Sequence, residues 1–155
     1  MDTKIKILAN KIKSIKINDL FYRAFQDAEV QEFVIAANQG QLYDDGIYSN
    51  GKIIKTYAAF QGNVYSRKTL KIKSEKGQPT DRVTLYDTGD FYDSWKMFAK
   101  KTQAVINYDK KKLKLISENV PDVMDIFGLT ETNFNRLTWN VIYPFVMKLL
   151  KDEII

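Results

Sequence analysis

The residues available for chemistry are carboxylates, lysines and hydroxyl groups, because the chain of 155 residues contains neither His nor Cys. A Ser-His-Asp or Cys-His nucleophile system needs an imidazole, and disulfides, iron–sulfur clusters and thiolate zinc sites need Cys. These chemistries are therefore excluded for this chain. An enzyme built from it would have to work with Asp, Glu, Lys, Tyr, Ser or Thr.

The most regular acidic pattern is Asp87, Asp90 and Asp93, with one carboxylate at every third residue. On a helix the three would share one face and could hold Mg²⁺ for phosphoryl transfer. Each residue also has a simpler role: Asp87 as an N-cap, Asp90 as a first-turn acid facing the helix dipole, and Asp93 as a solvated side chain. We favour the simpler roles and expect no metal and no cofactor. A carboxylate-dependent metal enzyme acting on nucleic acid is the alternative function.

Other patterns point less clearly to catalysis. Asp44 and Asp45 precede a glycine and could form a glycosidase carboxylate pair, but no second acidic pair is placed opposite them. Gly77 is not followed by the Lys-Ser or Lys-Thr pair of a phosphate-binding loop. Four tyrosines lie in a segment rich in Gly and Pro, and they suit a protein interface as well as stacking on bases or sugars. These candidate interface residues are Tyr43, Tyr48, Tyr57 and Tyr65.

Charge is unevenly distributed along a chain whose net charge is +5. The charged residues from Lys4 to Lys16 are all lysines, whereas residues 19–45 contain six acids and one Arg. Such segregation is more typical of separate solvated faces or complementary subunit surfaces than of a phosphate track. Composition does not decide whether Lys4 to Lys16 face DNA, through non-specific contact, or the acidic helix of a neighbour.

No apolar run approaches the length that spans a bilayer, and lysines interrupt the N-terminal apolar residues. We therefore expect no membrane contact and synthesis in the cytoplasm.

The element pattern predicts one α+β domain over residues 1–155. Residues 1–17 are predicted to form an amphipathic helix with a stripe of Ile5, Leu8, Ile12 and Ile15, packing on this domain or on a neighbouring subunit. Residues 18–40 are predicted to form a second helix, opened by Asn18 and Asp19 and stopped by Gly40.

Residues 41–81 are predicted to form an interaction loop, because periodicity fades and five of its residues are Gly or Pro. Ser49 to Gly51 should make a turn, and residues 64–75 fit a helix or a strand equally well. We expect this loop to be mobile in a monomer and fixed on assembly.

Residues 82–117 are predicted to form strands, with a hairpin pairing residues 104–108 with 113–117 around the turn Asp109-Lys110-Lys111. Residues 118–155 form the predicted C-terminal helical segment, capped by Thr130 and kinked by Pro144. The expected buried stripe of its helix, packed on the hairpin, is Phe134, Leu137, Val141, Phe145 and Leu149.

Residues 77–96, with the sequence GQPTDRVTLYDTGDFYDSWK, resemble proteins of the virion-assembly modules of tailed phages that infect Bacteroidetes-type hosts, the crAss-like phages. Within them, residues 87–94 are similar to the Thr-Gly-x-Leu-x-x-Ser element of head–tail joining and tail-completion proteins. Phe91 stands where that element has an aliphatic residue, and the loop before it is longer. The motif residues here are Asp87, Thr88, Gly89, Asp90, Phe91, Ser94 and Trp95.

This resemblance implies a non-enzymatic virion protein of the neck or tail-completion type. Such a subunit would form a homo-oligomeric ring that joins the capsid portal to the tail. Its partners would be portal, connector or tail proteins, with non-specific contact to DNA in the lumen, and its location would be the virion neck or tail. The family layout of a long helix, the element, a strand, a hairpin, a Gly-containing loop and a C-terminal helix matches the order predicted for residues 18–150.

Overall fold

The computed structural model describes residues 6, 10, 11, 14–59, 61–101 and 103–154. Lys6, Asn10, Lys11 and Ser14 have helical backbone, whereas Ile5, Leu8 and Ile12 of the predicted N-terminal stripe lie outside the described residues. The fold mixes helices with a two-stranded antiparallel sheet, which confirms the predicted α+β class. The elements are α1 (Ile17–Gln26), α2 (Ala28–Gly40), α3 (Arg67–Glu75), α4 (Asp90–Asp93), β1 (Lys96–Lys100), β2 (Gln103–Asn107), α5 (Lys110–Ser117), α6 (Glu131–Leu137) and α7 (Tyr143–Ile154).

The single helix predicted over residues 18–40 is wrong in its boundaries, because the chain breaks at Asp27. Asp27 has extended backbone, and its carboxylate accepts hydrogen bonds from the backbone N–H groups of Glu29 and Val30, so it caps α2. The helix does not stop at Gly40. A π turn, Gln41–Asp45, continues it until Gly46, whose φ of +64° ends the helical path.

The hairpin is formed by different strands from those predicted. β1 pairs with β2, with Lys96 opposite Asn107 and Lys100 opposite Gln103. Residues 110–117 form α5 instead of a strand, because the Asp109 carboxylate accepts from the N–H groups of Lys111 and Lys112 and caps a helix there. Residues 82–86 also lie outside any strand.

Much of the predicted interaction loop, residues 41–81, is packed into the chain's own core. The Ser49 to Gly51 turn is confirmed by a β-bridge between Ile47 and Ile53. Residues 67–75, which sequence left open between helix and strand, form α3, capped by Ser66. The larger hydrophobic cluster draws four buried members from this segment, namely Leu42, Tyr48, Ile54 and Tyr65.

A second hydrophobic cluster joins α1, α2 and β1 to the C-terminal helical segment. Its buried members are Ala24, Val30, Val34, Met97, Leu137 and Ile142. A strand does share this cluster, but it is β1, through Met97, and not a strand of the hairpin predicted over residues 104–108 and 113–117, so the predicted packing is wrong. Among the described residues, no helix has both the length and the apolar character needed to cross a bilayer.

Two buried amides connect the end of α2 to residues 126–130. Asn38 donates to the carbonyl of Ile126 (2.8 Å) and accepts from the N–H of Gly128 (2.9 Å). Gln41 donates to the carbonyl of Gly128 (2.9 Å) and accepts from the N–H of Thr130 (3.0 Å). Each amide thus satisfies one backbone donor and one backbone acceptor that would otherwise be buried without a partner.

The C-terminal helical segment bends, as Pro144 predicts. Thr130 caps α6 by accepting from the N–H of Asn133, and a π turn, Thr138–Ile142, joins α6 to α7. In this turn the N–H of Tyr143 bonds to the carbonyl of Thr138, one residue further back than in an α-helix.

The buried stripe predicted for this segment is partly wrong, and from Thr138 onward the π turn changes the helical register. Leu137 is buried as expected, and Val141, Phe145 and Leu149 are half-buried. Phe134 is instead 56 % exposed, and Ile142 takes a buried place that the sequence pattern did not assign to it.

Two glycines with the same φ of +64° separate backbone strain from steric overlap. A Cβ on Gly46 would lie 2.8 Å from the Cβ of Arg82, whereas one on Gly77 would meet no atom within 4 Å. Gly77→Ala should lower the free energy of unfolding by about 1 kcal/mol through backbone strain alone. Gly46→Ala should lower it by about 1–3 kcal/mol more, through the overlap. Equal losses in urea unfolding of the two variants would contradict this packing of Gly46 on Arg82.

Candidate functional site

The motif segment enters the fold through a short helix, α4, that begins after Gly89. Gly89 has a φ of +94°, and a Cβ there would lie 3.0 Å from the Tyr86 hydroxyl oxygen, so both the backbone and the space favour glycine. Phe91 and Trp95 are buried, whereas Asp87 and Asp90 are exposed.

An aromatic cluster extends from the motif to the loop held by Asn38 and Gln41. The rings of Phe91 and Trp95 are perpendicular, with centroids 5.6 Å apart, and Trp95 lies 5.1 Å from Phe127. Phe127 in turn stacks on Tyr108 at 4.3 Å. The indole N–H of Trp95 is buried without a hydrogen-bond partner among the described residues. Edge-to-face pairs of this kind add stabilisation beyond area burial, so the motif is a packing element.

Ser94 connects the motif to the helix that follows the sheet. Its hydroxyl donates to the carbonyl of Phe91 (2.6 Å) and accepts from the N–H of Asp109 (3.1 Å). Asp109 is the cap of α5. The serine of the motif therefore fixes where α5 begins relative to α4.

Two carboxylates of the motif, those of Asp87 and Asp90, form ion pairs with lysines. Asp87 is not the cap predicted from sequence, since Gly89 occupies the N-cap position and Asp87 pairs with Lys76. Asp90 pairs with Lys112 at 3.1 Å, and this hydrogen bond lowers the pKa of the Asp90 carboxyl. Asp87, Asp90 and Asp93 are not brought together, and the part of the chain that is described contains no group of three acids able to hold an ion.

Lys73 is a buried cation that sequence reasoning missed. Its ammonium group donates to the Gln78 side chain (3.0 Å), the Thr84 hydroxyl (3.2 Å) and the Tyr86 carbonyl (2.7 Å). It also lies 5.2 Å from the ring centroid of Tyr65. Burial lowers the pKa of Lys73. Three acceptors match the three donors of an ammonium group, so Lys73 attaches α3 to the segment before the motif.

A concave cavity of about 560 Å³ lies between α3, the motif and α5. Its apolar wall includes Val83, Leu85 and Ile116, and its polar lining includes Asp90 and Lys112, which pair with each other. Such a volume can accommodate an apolar group. The polar groups of the motif around it are already engaged in the fold.

The four candidate interface tyrosines are placed very differently. Tyr48 and Tyr65 are buried, so the expectation that they lie on the surface for a partner is wrong. The hydroxyl of Tyr48 donates to the carbonyl of Pro121 (2.6 Å), and that of Tyr65 accepts from the N–H of Thr84 (2.9 Å). Tyr43 is half-buried against Tyr86, and Tyr57 is 68 % exposed.

A second surface that the sequence pattern did not reveal lies on the C-terminal helical segment. Trp139 is 63 %, Tyr143 51 % and Met147 36 % exposed, and the rings of Trp139 and Tyr143 are 5.8 Å apart. We call these three residues the aromatic face. Their spacing of four residues places them along one side of the helix. The signal that could have identified this face is Pro144, which marks the change of register.

Replacing Lys73 should test its role in attaching α3. Lys73→Met keeps the apolar stem but leaves the Tyr86 carbonyl without its donor, so the free energy of unfolding should fall by about 1–3 kcal/mol. Lys71→Met, at an exposed position of the same helix, should change it by less than about 0.5 kcal/mol. Equal effects of the two substitutions in denaturant unfolding would rule out the buried hydrogen-bonded role.

The ionisation of Tyr48 should make stability fall at high pH. Burial, together with Asp122 and Asp125, raises the pKa of the Tyr48 phenol to about 12, against 10.0 in its ordinary state. The folded chain therefore keeps a proton that the unfolded chain loses, so the free energy of unfolding should decrease as pH rises from 10 to 12. Tyr48→Phe should show a shallower decrease over this range. An unchanged slope would mean that Tyr48 is exposed in the isolated chain.

Comparisons with known proteins found no matching family model, curated protein or solved structure. Function is therefore inferred from the geometry described above and from the sequence resemblance of residues 77–96.

Proposed function

We propose that the protein is a structural subunit of a tailed-phage virion, of the neck or tail-completion type, without catalytic activity. In this proposal copies of the chain form a homo-oligomeric ring between the capsid portal and the tail, and the ring contacts portal, connector or tail proteins. The resemblance of residues 77–96 supports the class of protein. The aromatic face is the observation that carries the assembly.

The aromatic face has the chemistry of an interface between proteins. Trp139, Tyr143 and Met147 belong to residue types enriched in the cores of such interfaces. Large aromatic side chains dominate the energetics of contacts because each can remove a large apolar area from water. A contiguous apolar strip that faces solvent in one chain is the usual mark of a surface covered by another.

The motif suits a structural subunit because its side chains maintain the fold. Phe91 and Trp95 are in the core, Ser94 positions α5, and Asp87 and Asp90 pair with lysines. The element therefore stiffens the region between α3 and α5. A stiff body lets a ring transmit contact from a protein on one side to a protein on the other.

Replacing the aromatic face should dissociate the assembly into monomers without unfolding the chain. We expect the wild type to give a closed homo-oligomer by native mass spectrometry and light scattering. Trp139→Ser combined with Tyr143→Ser should shift the mass to that of the monomer, because the affinity comes from apolar burial. Leu115→Ser is the matched control, since Leu115 is 62 % exposed on a different helix, and it should assemble as the wild type does.

Three outcomes would contradict the proposal. A wild type that stays monomeric at all concentrations tested would contradict the proposal that the chain forms a ring. Disassembly by Tyr57→Ser, with the aromatic-face variant still assembled, would place the contact in residues 41–81. Stoichiometric Mg²⁺ or Mn²⁺ uptake in calorimetry, with nuclease turnover, would favour the metal-enzyme alternative.

A further inference from the structure

Basic side chains lie along the aromatic face, and the nearest acids in sequence, Glu131 and Asp152, lie beyond its two ends. Arg136, Lys148 and Lys151 are exposed near it, and residues 132–151 contain no acid. Lys151 continues the same spacing of four residues that sets Trp139, Tyr143 and Met147. Neither Lys148 nor Lys151 forms an ion pair within the described part of the chain. The surface is therefore both apolar and basic.

A surface of opposite charge lies on α2. Glu29, Glu32 and Ala36 are exposed and follow one another at helical spacing, and we call them the acidic face of α2. Residues 24–51 contain five acids and neither Lys nor Arg. The described residues provide no ion-pair partner for Glu29 or Glu32.

Neither face is covered within the described part of one chain. The inner side of α2, with Val30 and Val34, packs into the same hydrophobic cluster as Leu137 and Ile142 of the C-terminal helical segment. Because each element buries its inner side in this shared core, both faces stay exposed in a single chain. Their complementary charges allow a second copy to cover both kinds of face.

We propose that the aromatic face of one copy docks on the acidic face of α2 in the next copy. This inference rests on the proposed function, because it names the surfaces through which the ring closes. A contact between two different faces is heterologous, so each copy uses one face on each neighbour, and the chain of contacts closes into a ring when the rotation between copies permits.

The two kinds of contact have different roles. Burial of Trp139 and Tyr143 provides most of the affinity, since exposed ion pairs contribute little free energy each. Pairing of Lys148 and Lys151 with Glu29 and Glu32 selects the partner surface and opposes contact between two aromatic faces, which carry like charges. Ala36 is small and leaves room for an aromatic side chain of the neighbouring copy to approach the α2 backbone.

Reversing the charges on one face at a time tests this pairing. Lys148→Glu with Lys151→Glu and, separately, Glu29→Lys with Glu32→Lys should each shift the mass from the wild-type assembly to the monomer, because like charges held opposite each other repel far more strongly than the lost ion pairs attracted. Mixing the two variants should restore association in a 1:1 ratio, because each face then meets a face of opposite charge. Lys100→Glu with Lys101→Glu, at exposed positions outside both faces, is the matched control and should assemble as the wild type does. Circular dichroism verifies that each variant is folded.

The outcomes separate this inference from the proposed function. A wild-type ring that survives both reversals would overturn the pairing and leave the ring proposal intact. Two monomeric variants that do not associate when mixed would also overturn it, because loss without rescue indicates damage and not complementarity. A wild type that never assembles would overturn both.

Discussion

The buried amides of Asn38 and Gln41 determine how the two halves of the core meet. Together they provide hydrogen bonds to four backbone groups in residues 126–130, a segment with neither strand nor α-helix to satisfy them. Leaving such groups unpaired in the interior would cost more than most single apolar contacts provide. Once this segment is fixed, Phe127 can pack on Trp95 and Thr130 can cap α6. Residues 126–130 thereby fix the positions of both the motif cluster and the C-terminal helical segment.

The same principle explains how a chain with a two-stranded sheet holds so much irregular backbone in a defined place. Side chains substitute for the missing ladders: Tyr48 donates to the carbonyl of Pro121, Tyr65 accepts from the N–H of Thr84, and Lys73 donates to the carbonyl of Tyr86. Each of these residues combines an apolar body with a polar end. Tyr48, Tyr65 and Lys73, which all lie in residues 41–81, are therefore structural.

Sequence reasoning succeeded where a signal is local and failed where it depends on distant residues. The Thr130 cap, the turn at Ser49 to Gly51 and the bend at Pro144 each depend on neighbours within a few positions, and all three are present. Asp109-Lys110-Lys111 fits both a hairpin turn and a helix start, and in the fold Asp109 caps a helix while its own N–H is held by the distant Ser94. The burial of Lys73 depends on acceptors as far as thirteen residues away and leaves no periodic trace. Within the motif, the inward aromatics could be predicted, whereas the ion pairs of its acids could not.

Because of the π turn at Thr138–Ile142, the number of residues in the C-terminal helical segment determines which side chains face the core as well as how long the segment is. The single extra residue in this turn rotates all later side chains of the helix by about 100° relative to an uninterrupted α-helix. Removing one residue from the turn would rotate Phe145 and Val146 away from the core and carry part of the aromatic face toward it. Relatives of this chain are therefore expected to vary in side-chain identity along this surface far more readily than in the number of residues between Leu137 and Pro144.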